Sequence, residues 1–154
     1  MTPSELEPPN PDYASAVPQM VLSMPAAALL GFSFREIGPG RVDLLLPFRR
    51  ELGEHQGLFQ GGVIGMLLDF AGGSASGTML RAGHMLMTLD YTVKLLAPAR
   101  GAALSARGRV IDASHAIGVS AVDVFAESPE RAVLVATGLV STRSFPLPTR
   151  PPKP

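Results

Sequence analysis

The sequence predicts an α+β domain in which a curved, largely antiparallel sheet wraps around one long central helix. An apolar helix is predicted over residues 60–73, with Asp69 as its one charge, and strand-like segments lie on both sides of it. Consecutive strands joined by tight turns favour antiparallel pairing. A helix that is apolar nearly all round needs cover on every side, which a curved sheet supplies.

The chain before the first strand is predicted to form a tail and a helical lead-in. Residues 1–13 are polar and proline-rich, which predicts a flexible tail. Residues 14–30 predict one helix or two short helical pieces, with Pro18 and Pro25 in first turns. Gly31 is the predicted C-cap of this segment.

Strands are predicted wherever apolar or alternating runs are bounded by turn residues. These runs occupy residues 32–37, 41–48, 85–96, 103–111, 116–126 and 132–144. The last four follow the central helix in meander-like order. A polar loop over residues 49–59 leads into the helix, and a proline-rich tail over residues 145–154 ends the chain. A single domain is therefore predicted over residues 14–144.

Composition and charge restrict the classes of function. The chain has 154 residues, of which 46% are hydrophobic and 17% charged, and its formal net charge is zero. These values are typical of a globular domain and do not favour nucleic acid or an anionic membrane as a partner. The chain has no cysteine, so a thiol nucleophile and a disulfide framework are excluded. The acidic N-terminus does not resemble a secretory signal, and a cytoplasmic location is expected.

A membrane span is the main alternative interpretation of the central helix. Residues 61–80 are long enough to cross a bilayer. However, Asp69 would then lie near mid-membrane, where a carboxylate is costly. A buried helix of a soluble protein fits better, and no membrane partner is predicted.

The paired glycines at the predicted helix start are candidates for a catalytic role. The first amides of a helix have no partner within the helix, and the positive end of the helix dipole lies behind them. At Gly61 and Gly62 a ligand can approach this backbone closely, so the amides can polarise a carbonyl or stabilise an oxyanion. The alternative, that both glycines only allow close packing of the helix on the sheet, stays open.

Asp69 is the second candidate, because a buried carboxylate without a partner is costly. It either has a chemical function or pairs with a neighbouring loop or arginine. Asp69 follows Gly61 by eight residues, which is roughly 12 Å along one helix. An oxyanion donor and a base must both lie near the same reacting atom. Two antiparallel copies of the helix satisfy this requirement, and we therefore predict a two-fold dimer with composite sites.

Residues 54–69 (EHQGLFQGGVIGMLLD) resemble the PaaI-like acyl-CoA thioesterases, a phenylacetate degradation-type group of the hot-dog-fold superfamily. The family pattern has an Asn or Gln, a glycine, His-Gly-Gly, and then a helix that carries an Asp or Glu. Residues 87–99 (MTLDYTVKLLAPA) resemble the family's strand that ends in a proline turn, and residues 37–42 (IGPGRV) match upstream. The resemblance covers residues 24–144 and implies the hot-dog fold.

The resemblance also implies a role for individual residues. The Gly61 amide would polarise the thioester carbonyl, and Asp69 of the partner chain would act as nucleophile or as general base toward water. Thr88 would help to position the attacking water. Gln60 and Glu54 occupy the flanking polar positions. Substrate contacts are predicted at Glu54, Gly62, Phe59 and His55.

Two of these positions depart from the family pattern. Gln60 replaces the usual histidine; it can still cap the helix start, but it cannot titrate near neutral pH. Glu54 replaces the usual Asn or Gln and adds a negative charge, which can raise the pKa of a nearby carboxyl group.

The remaining polar residues give weaker signals. His55 either borders the site or lies exposed in its loop, and His84 is predicted at the surface. Residues 112–115 contain triad residue types, but contiguous residues of one turn cannot converge. No spacing suggests a metal or nucleotide motif, so no metal site and no cofactor are predicted. The cations after the helix either bind CoA phosphates or lie on a solvated face: Lys94, Arg100, Arg107 and Arg109.

The function predicted from these residues is hydrolysis of an acyl-CoA thioester to a carboxylic acid and free CoA. The apolar lead-in helix and Phe59 are predicted to line the acyl pocket, and they would suit a medium-chain or aromatic acyl group. The first alternative is a protein that binds acyl-CoA without hydrolysing it. The second is a hydratase of the same fold class, which needs a histidine where this chain has Gln60. The predicted self-association is a homodimer or a dimer of dimers.

Overall fold

The computed structural model of the protein describes residues 6–113 and 116–148. Its helices are α1 (Tyr13–Leu22), α2 (Pro25–Leu30) and α3 (Gly61–Gly77), and a short 3₁₀ turn spans Arg50–Leu52. Its strands are β1 (Ser33–Gly38), β2 (Arg41–Pro47), β3 (His84–Leu95), β4 (Ala103–Asp112), β5 (Ile117–Glu127) and β6 (Ala132–Pro146). The outer parts of the predicted tails, residues 1–5 and 149–154, lie outside the described residues, as do Ser114 and His115.

All six strands form one antiparallel sheet in the order β1-β2-β4-β5-β6-β3. Helix α3 packs against five of them, β2 to β6, through side chains that are fully buried, among them Leu67, Leu68 and Ala71. The predicted architecture, a curved antiparallel sheet around one central helix, is confirmed.

The predicted meander of the last four strands is wrong for β3. This strand lies at the sheet edge and pairs with β6, whereas β4 lies between β2 and β5. The chain crosses the start of α3 between β3 and β4, where the Phe59 N–H donates to the Ala99 carbonyl at 3.0 Å. Turn residues show where a strand ends, but they do not specify the strand with which it pairs.

The lead-in forms two short helices, one of the two predicted possibilities, and Gly31 is the left-handed C-cap of α2 at φ 76°. Pro25 begins α2, as predicted. The position predicted for Pro18 is wrong, because α1 begins at Tyr13 and Pro18 lies inside it, beyond the first turn. A proline there leaves one backbone carbonyl of the helix without its donor.

Close packing of α3 on the sheet depends on glycines that differ from the pair at the helix start. A Cβ added to Gly72 would lie 2.4 Å from the Val140 side chain. A Cβ added to Gly108 of β4 would lie 2.5 Å from the Ala71 carbonyl oxygen. These distances are shorter than any real contact, so both glycines set the distance between helix and sheet.

Adjacent glycines of α3 provide a test of this packing. Gly72→Ala is expected to destabilise the fold by about 1–3 kcal/mol, because the new methyl group overpacks the core. Gly73→Ala is expected to stabilise it by about 0.5–1 kcal/mol, because alanine has the better helix propensity and the nearest atom, of Leu86, is 4.0 Å from the new Cβ. Urea denaturation measures both free energies, and equal shifts of the same sign would contradict the packing.

Candidate active site

The start of α3 is an exposed cluster of backbone donors capped by Gln60. The Gln60 backbone is extended (φ −70°, ψ 140°), and its side-chain oxygen accepts hydrogen bonds from the amides of Gly62 and Val63. Gln60 therefore caps the helix in the way predicted for it. Among the residues that the structure describes, the Gly61 N–H has no hydrogen-bond partner. This donor remains available for a ligand at the positive end of the helix dipole.

Asp69 lies two turns further along α3 and faces β3. Its carboxylate is half-buried, and the Thr88 hydroxyl donates to Oδ1 at 2.8 Å. Burial raises the pKa of Asp69 above its ordinary value, and the hydrogen bond from Thr88 partly offsets that effect. No arginine or lysine within the described ranges forms an ion pair with Asp69. The site thus contains a carboxyl group whose pKa is raised by burial and which accepts a hydrogen bond from the neutral hydroxyl of Thr88.

A cavity of about 390 Å³ opens beside this carboxylate, between α1, α3 and β3. Asp69 and Thr88 line it near the middle of α3, and Arg81 and His84 line it beyond the C-terminal end of that helix. Its walls between those ends are mostly apolar, and they include Val17, Met20, Val21, Met24, Phe70 and Leu86. The volume falls in the range of small-molecule sites, about 300–1,000 Å³.

Part of this cavity is formed by residues that the sequence patterns do not predict there. His84, predicted at the surface, is half-buried and lines it, and so do Gly73 and Gly77. A usable signal was present, since Asp69, Gly73 and Gly77 recur every four residues and therefore share one face of a helix. The lead-in helix lines the cavity, as predicted, through its buried face at Val17 and Val21.

Within one chain the predicted site residues form two separate groups. Gln60, Gly61 and Gly62 lie at the start of α3. Asp69 and Thr88 lie eight residues later on α3 and across from it on β3, and the two groups are therefore about 12 Å apart along the helix. Gly61 and Asp69 lie on the same regular helix, so the separation of about 12 Å predicted from their spacing holds.

The loop residues predicted to contact substrate have other partners within the chain. The Glu54 carboxylate accepts hydrogen bonds from the amides of Gln56 and Leu58 at 2.8 and 2.9 Å, and it orders its own loop. His55 is 3.3 Å from Glu54, and its side chain is 85% exposed. Phe59 is buried and packs edge-on against Phe48, with ring centroids 5.0 Å apart; it does not line the cavity.

Arg107, one of the cations considered for a CoA phosphate, belongs to a charge cluster on the outer face of the sheet. It lies 3.6 Å from Asp43 and stacks over the Phe125 ring at 4.5 Å. In the same cluster Arg35 binds Asp43 and Glu127 at 2.8 Å, which lowers the pKa of Glu127 to about 2. Arg107 therefore lies on a polar sheet face, away from the cavity.

The comparisons with known proteins agree with this fold. The family model described as the thioesterase superfamily matches residues 56–133, half of the chain. The chain therefore belongs to the thioesterase superfamily, a family of acyl-thioester hydrolases. No curated protein sequence matches the chain significantly.

Solved structures of thioesterase-family proteins superpose closely on the chain. A thioesterase family protein from Silicibacter pomeroyi is 25% identical with a TM-score of 0.84, over 87% of this chain and 98% of that one. A thioesterase from Haemophilus influenzae is 23% identical with a TM-score of 0.77, over 88% and 92%. The E. coli PaaI protein of the phenylacetic acid degradation operon is 16% identical with a TM-score of 0.75, over 87% and 94%. The PaaI-like hot-dog thioesterases, which residues 54–69 resemble, thus share this fold.

Two further properties concern the described part of the chain. None of its helices is long and apolar enough to cross a membrane. Its histidine, aspartate and glutamate side chains form no group of three or more that could hold a metal ion.

Proposed function

We propose that this protein is an acyl-CoA thioesterase that releases a carboxylic acid and free CoA. The observation that carries the proposal is the half-buried Asp69 carboxylate, held by Thr88 at 2.8 Å beside a largely apolar cavity. A half-buried carboxyl group with a raised pKa beside an apolar cavity is the arrangement expected of a general base or nucleophile. The apolar walls suit an acyl chain better than a charged substrate.

In the proposed reaction the thioester carbonyl oxygen accepts a hydrogen bond from the free Gly61 N–H. Asp69 takes a proton from a water molecule as that water attacks the carbonyl carbon, or it attacks the carbon directly and forms an anhydride that water then hydrolyses. The C–S bond breaks, and the CoA thiolate leaves and is protonated. The Gly61 donor stabilises the negative charge that develops on the oxygen. Gly62 and the Gln60 cap keep the helix start in place beside it.

Two observations support a site shared between two copies of the chain. The Gly61 and Asp69 groups are about 12 Å apart along one helix. This separation is too large for both groups to act on the same thioester carbonyl. The edge strand β3 also exposes large apolar side chains, including Met87, Leu89 and Leu95, and an exposed, apolar edge strand favours pairing with another chain. Pairing of two β3 strands about a two-fold axis would place the two α3 helices antiparallel, with Gly61 of one copy toward Asp69 of the other.

The experiment that tests the function is a panel of acyl-CoA thioesters assayed for thiol release. Hydrolysis of at least one thioester supports the proposal. Tight binding of acyl-CoA without any turnover would instead support a non-hydrolytic acyl-CoA-binding protein. Gln60 supports that alternative, because its side-chain oxygen already accepts hydrogen bonds from two backbone amides and is not free to act on a substrate.

The Thr88 hydrogen bond predicts a change in pH dependence. It stabilises the ionised form of Asp69, so its removal in Thr88→Ala should raise the pKa of that carboxyl group further. Because the ionised form is the active one, activity is lost as the pH falls through this pKa. The acidic limb of the kcat/KM profile is therefore expected to move to higher pH in Thr88→Ala, while Thr88→Ser keeps it in place.

The matched control is Thr137→Ala, since Thr137 donates to Asp123 at 2.7 Å on the outer face of the sheet. That pair has the same chemistry as Thr88 and Asp69 but lies outside the cavity. Its loss should leave the pH profile unchanged. An acidic limb at the same pH in Thr88→Ala and wild type would contradict the role of Thr88.

A further inference from the structure

We infer that two glycines of α3, Gly73 and Gly77, determine the length of acyl chain that the cavity accepts. This inference rests on the proposed function, because it treats the cavity beside Asp69 as the acyl site. The expected substrates carry straight acyl chains of about eight to ten carbons. Each of the two glycines lies at its own depth along the acyl chain.

The cavity face of α3 carries no side chain at either position. Gly73 and Gly77 follow Asp69 by one and two turns, and all three residues line the cavity. A Cβ built on Gly73 meets only Leu86, at 4.0 Å, and a Cβ built on Gly77 meets Val17 at 3.5 Å. Both distances are ordinary contacts, so the fold does not require glycine at these positions.

This openness distinguishes the two glycines from Gly72, whose added Cβ would lie 2.4 Å from Val140 in the core. Glycine in a helix interior costs roughly 0.5–1 kcal/mol relative to alanine. At Gly72 the core explains that cost. At Gly73 the side that is left empty is the cavity, and a site that needs the space explains the cost there. Gly77 is the last residue of α3, so this interior cost does not apply to it, but its empty side also lines the cavity.

The depth of each residue along α3 can be expressed as a number of acyl carbons. The helix rises about 1.5 Å per residue, and a C–C bond is about 1.5 Å long and advances slightly less than that in a zigzag chain. Gly73 therefore lies at the depth of about the fourth or fifth carbon beyond Asp69, and Gly77 at about the eighth to tenth. Beyond Gly77 the lining includes the polar side chains of Arg81 and His84, where a longer apolar tail would displace water from polar groups.

The experiment compares kcat/KM across straight-chain acyl-CoA thioesters from acetyl to dodecanoyl for the wild type, Gly73→Leu and Gly77→Leu. Leucine suits a helix and adds a side chain large enough to fill the cavity. We expect Gly73→Leu to lower kcat/KM for octanoyl and longer chains by about 10-fold or more relative to butanoyl. Gly77→Leu should produce the same loss only for chains of about ten carbons or more.

Leu86→Ala provides the complementary variant, because Leu86 lines the cavity and is the nearest neighbour of a Cβ built on Gly73. Combined with Gly73→Leu, it should restore part of the lost activity toward octanoyl-CoA. Thermal unfolding of each variant separates a fold defect from a change in specificity, since a fold defect lowers activity toward all chain lengths equally.

The dissociation constants of the same acyl-CoA series for the wild type and both glycine variants decide the inference independently of turnover. If the wild type binds these thioesters but hydrolyses none, the proposed function fails while the binding profile still tests the two glycines. Length cut-offs that coincide in both variants, or that match the wild type, would overturn the inference. Absence of any binding would overturn both.

Discussion

Asp69→Asn is expected to lower kcat by about 10²–10⁴-fold, the range that a positioned general base contributes. Asparagine has the same shape and can still accept the hydrogen bond of Thr88, but it can neither take a proton from water nor attack a thioester. Steady-state thiol release from the preferred acyl-CoA measures the effect. The KM should change little, because the acyl chain and the CoA moiety keep their contacts.

The same substitution is expected to leave the fold as stable or more stable at neutral pH. Burial raises the pKa of Asp69 in the folded state above its unfolded value. Stability from such a group is fully present below the unfolded pKa and is lost as the pH rises through the folded pKa. At neutral pH the ionised carboxylate therefore costs stability that asparagine does not cost. A lower melting temperature for Asp69→Asn at neutral pH would contradict the burial of this carboxylate.

Asp123→Asn is the matched control for Asp69→Asn. Asp123 accepts a hydrogen bond from Thr137 at 2.7 Å, but it lies on the outer face of the sheet. The proposal predicts that this substitution leaves kcat unchanged. Full activity of Asp69→Asn, with Asp123→Asn as the reference, would remove Asp69 from the mechanism.

Gly61→Pro is expected to lower kcat by about 10²–10³-fold, the cost of one lost oxyanion donor. Proline has no N–H, and it is favoured at the first position of a helix, where Gly61 lies. The preceding residue, Gln60, has φ −70° and ψ 140°, which is the conformation that proline prefers before it. A new Cβ would lie 3.1 Å from the flexible end of Leu95, a contact that a small side-chain shift relieves. The substitution thus removes the donor while the fold is kept.

Gly61→Pro and Asp69→Asn together test whether each active site is shared between two chains. A heterodimer of the two chains has one site with intact Gly61 and Asp69 from different copies, and one site that lacks both. Heterodimers isolated through two different affinity tags are therefore expected to show about half of the wild-type activity per dimer, although each homodimer is nearly inactive. An inactive heterodimer would place each site within a single chain, and an active monomer would exclude sharing altogether.

Most of the helix and strand content could be predicted from the sequence, because these elements are specified by local patterns. The apolar run after Gly61 and the glycine and proline turns between strands are readable residue by residue. The family pattern over residues 54–69 likewise lies in one continuous stretch, and so the superfamily and the Gln60 cap could be derived from it. The same stretch makes Asp69 a candidate for the site.

The tertiary structure decided which residues meet. It placed β3 at the sheet edge beside β6, and this brings the Thr88 hydroxyl to Asp69 across 19 residues of chain. In the folded chain the Glu54 carboxylate binds amides of its own loop. Phe59 is buried against Phe48. The tertiary structure also left the cavity over Gly73 and Gly77. These outcomes depend on contacts between segments far apart in the chain, which local sequence patterns do not encode.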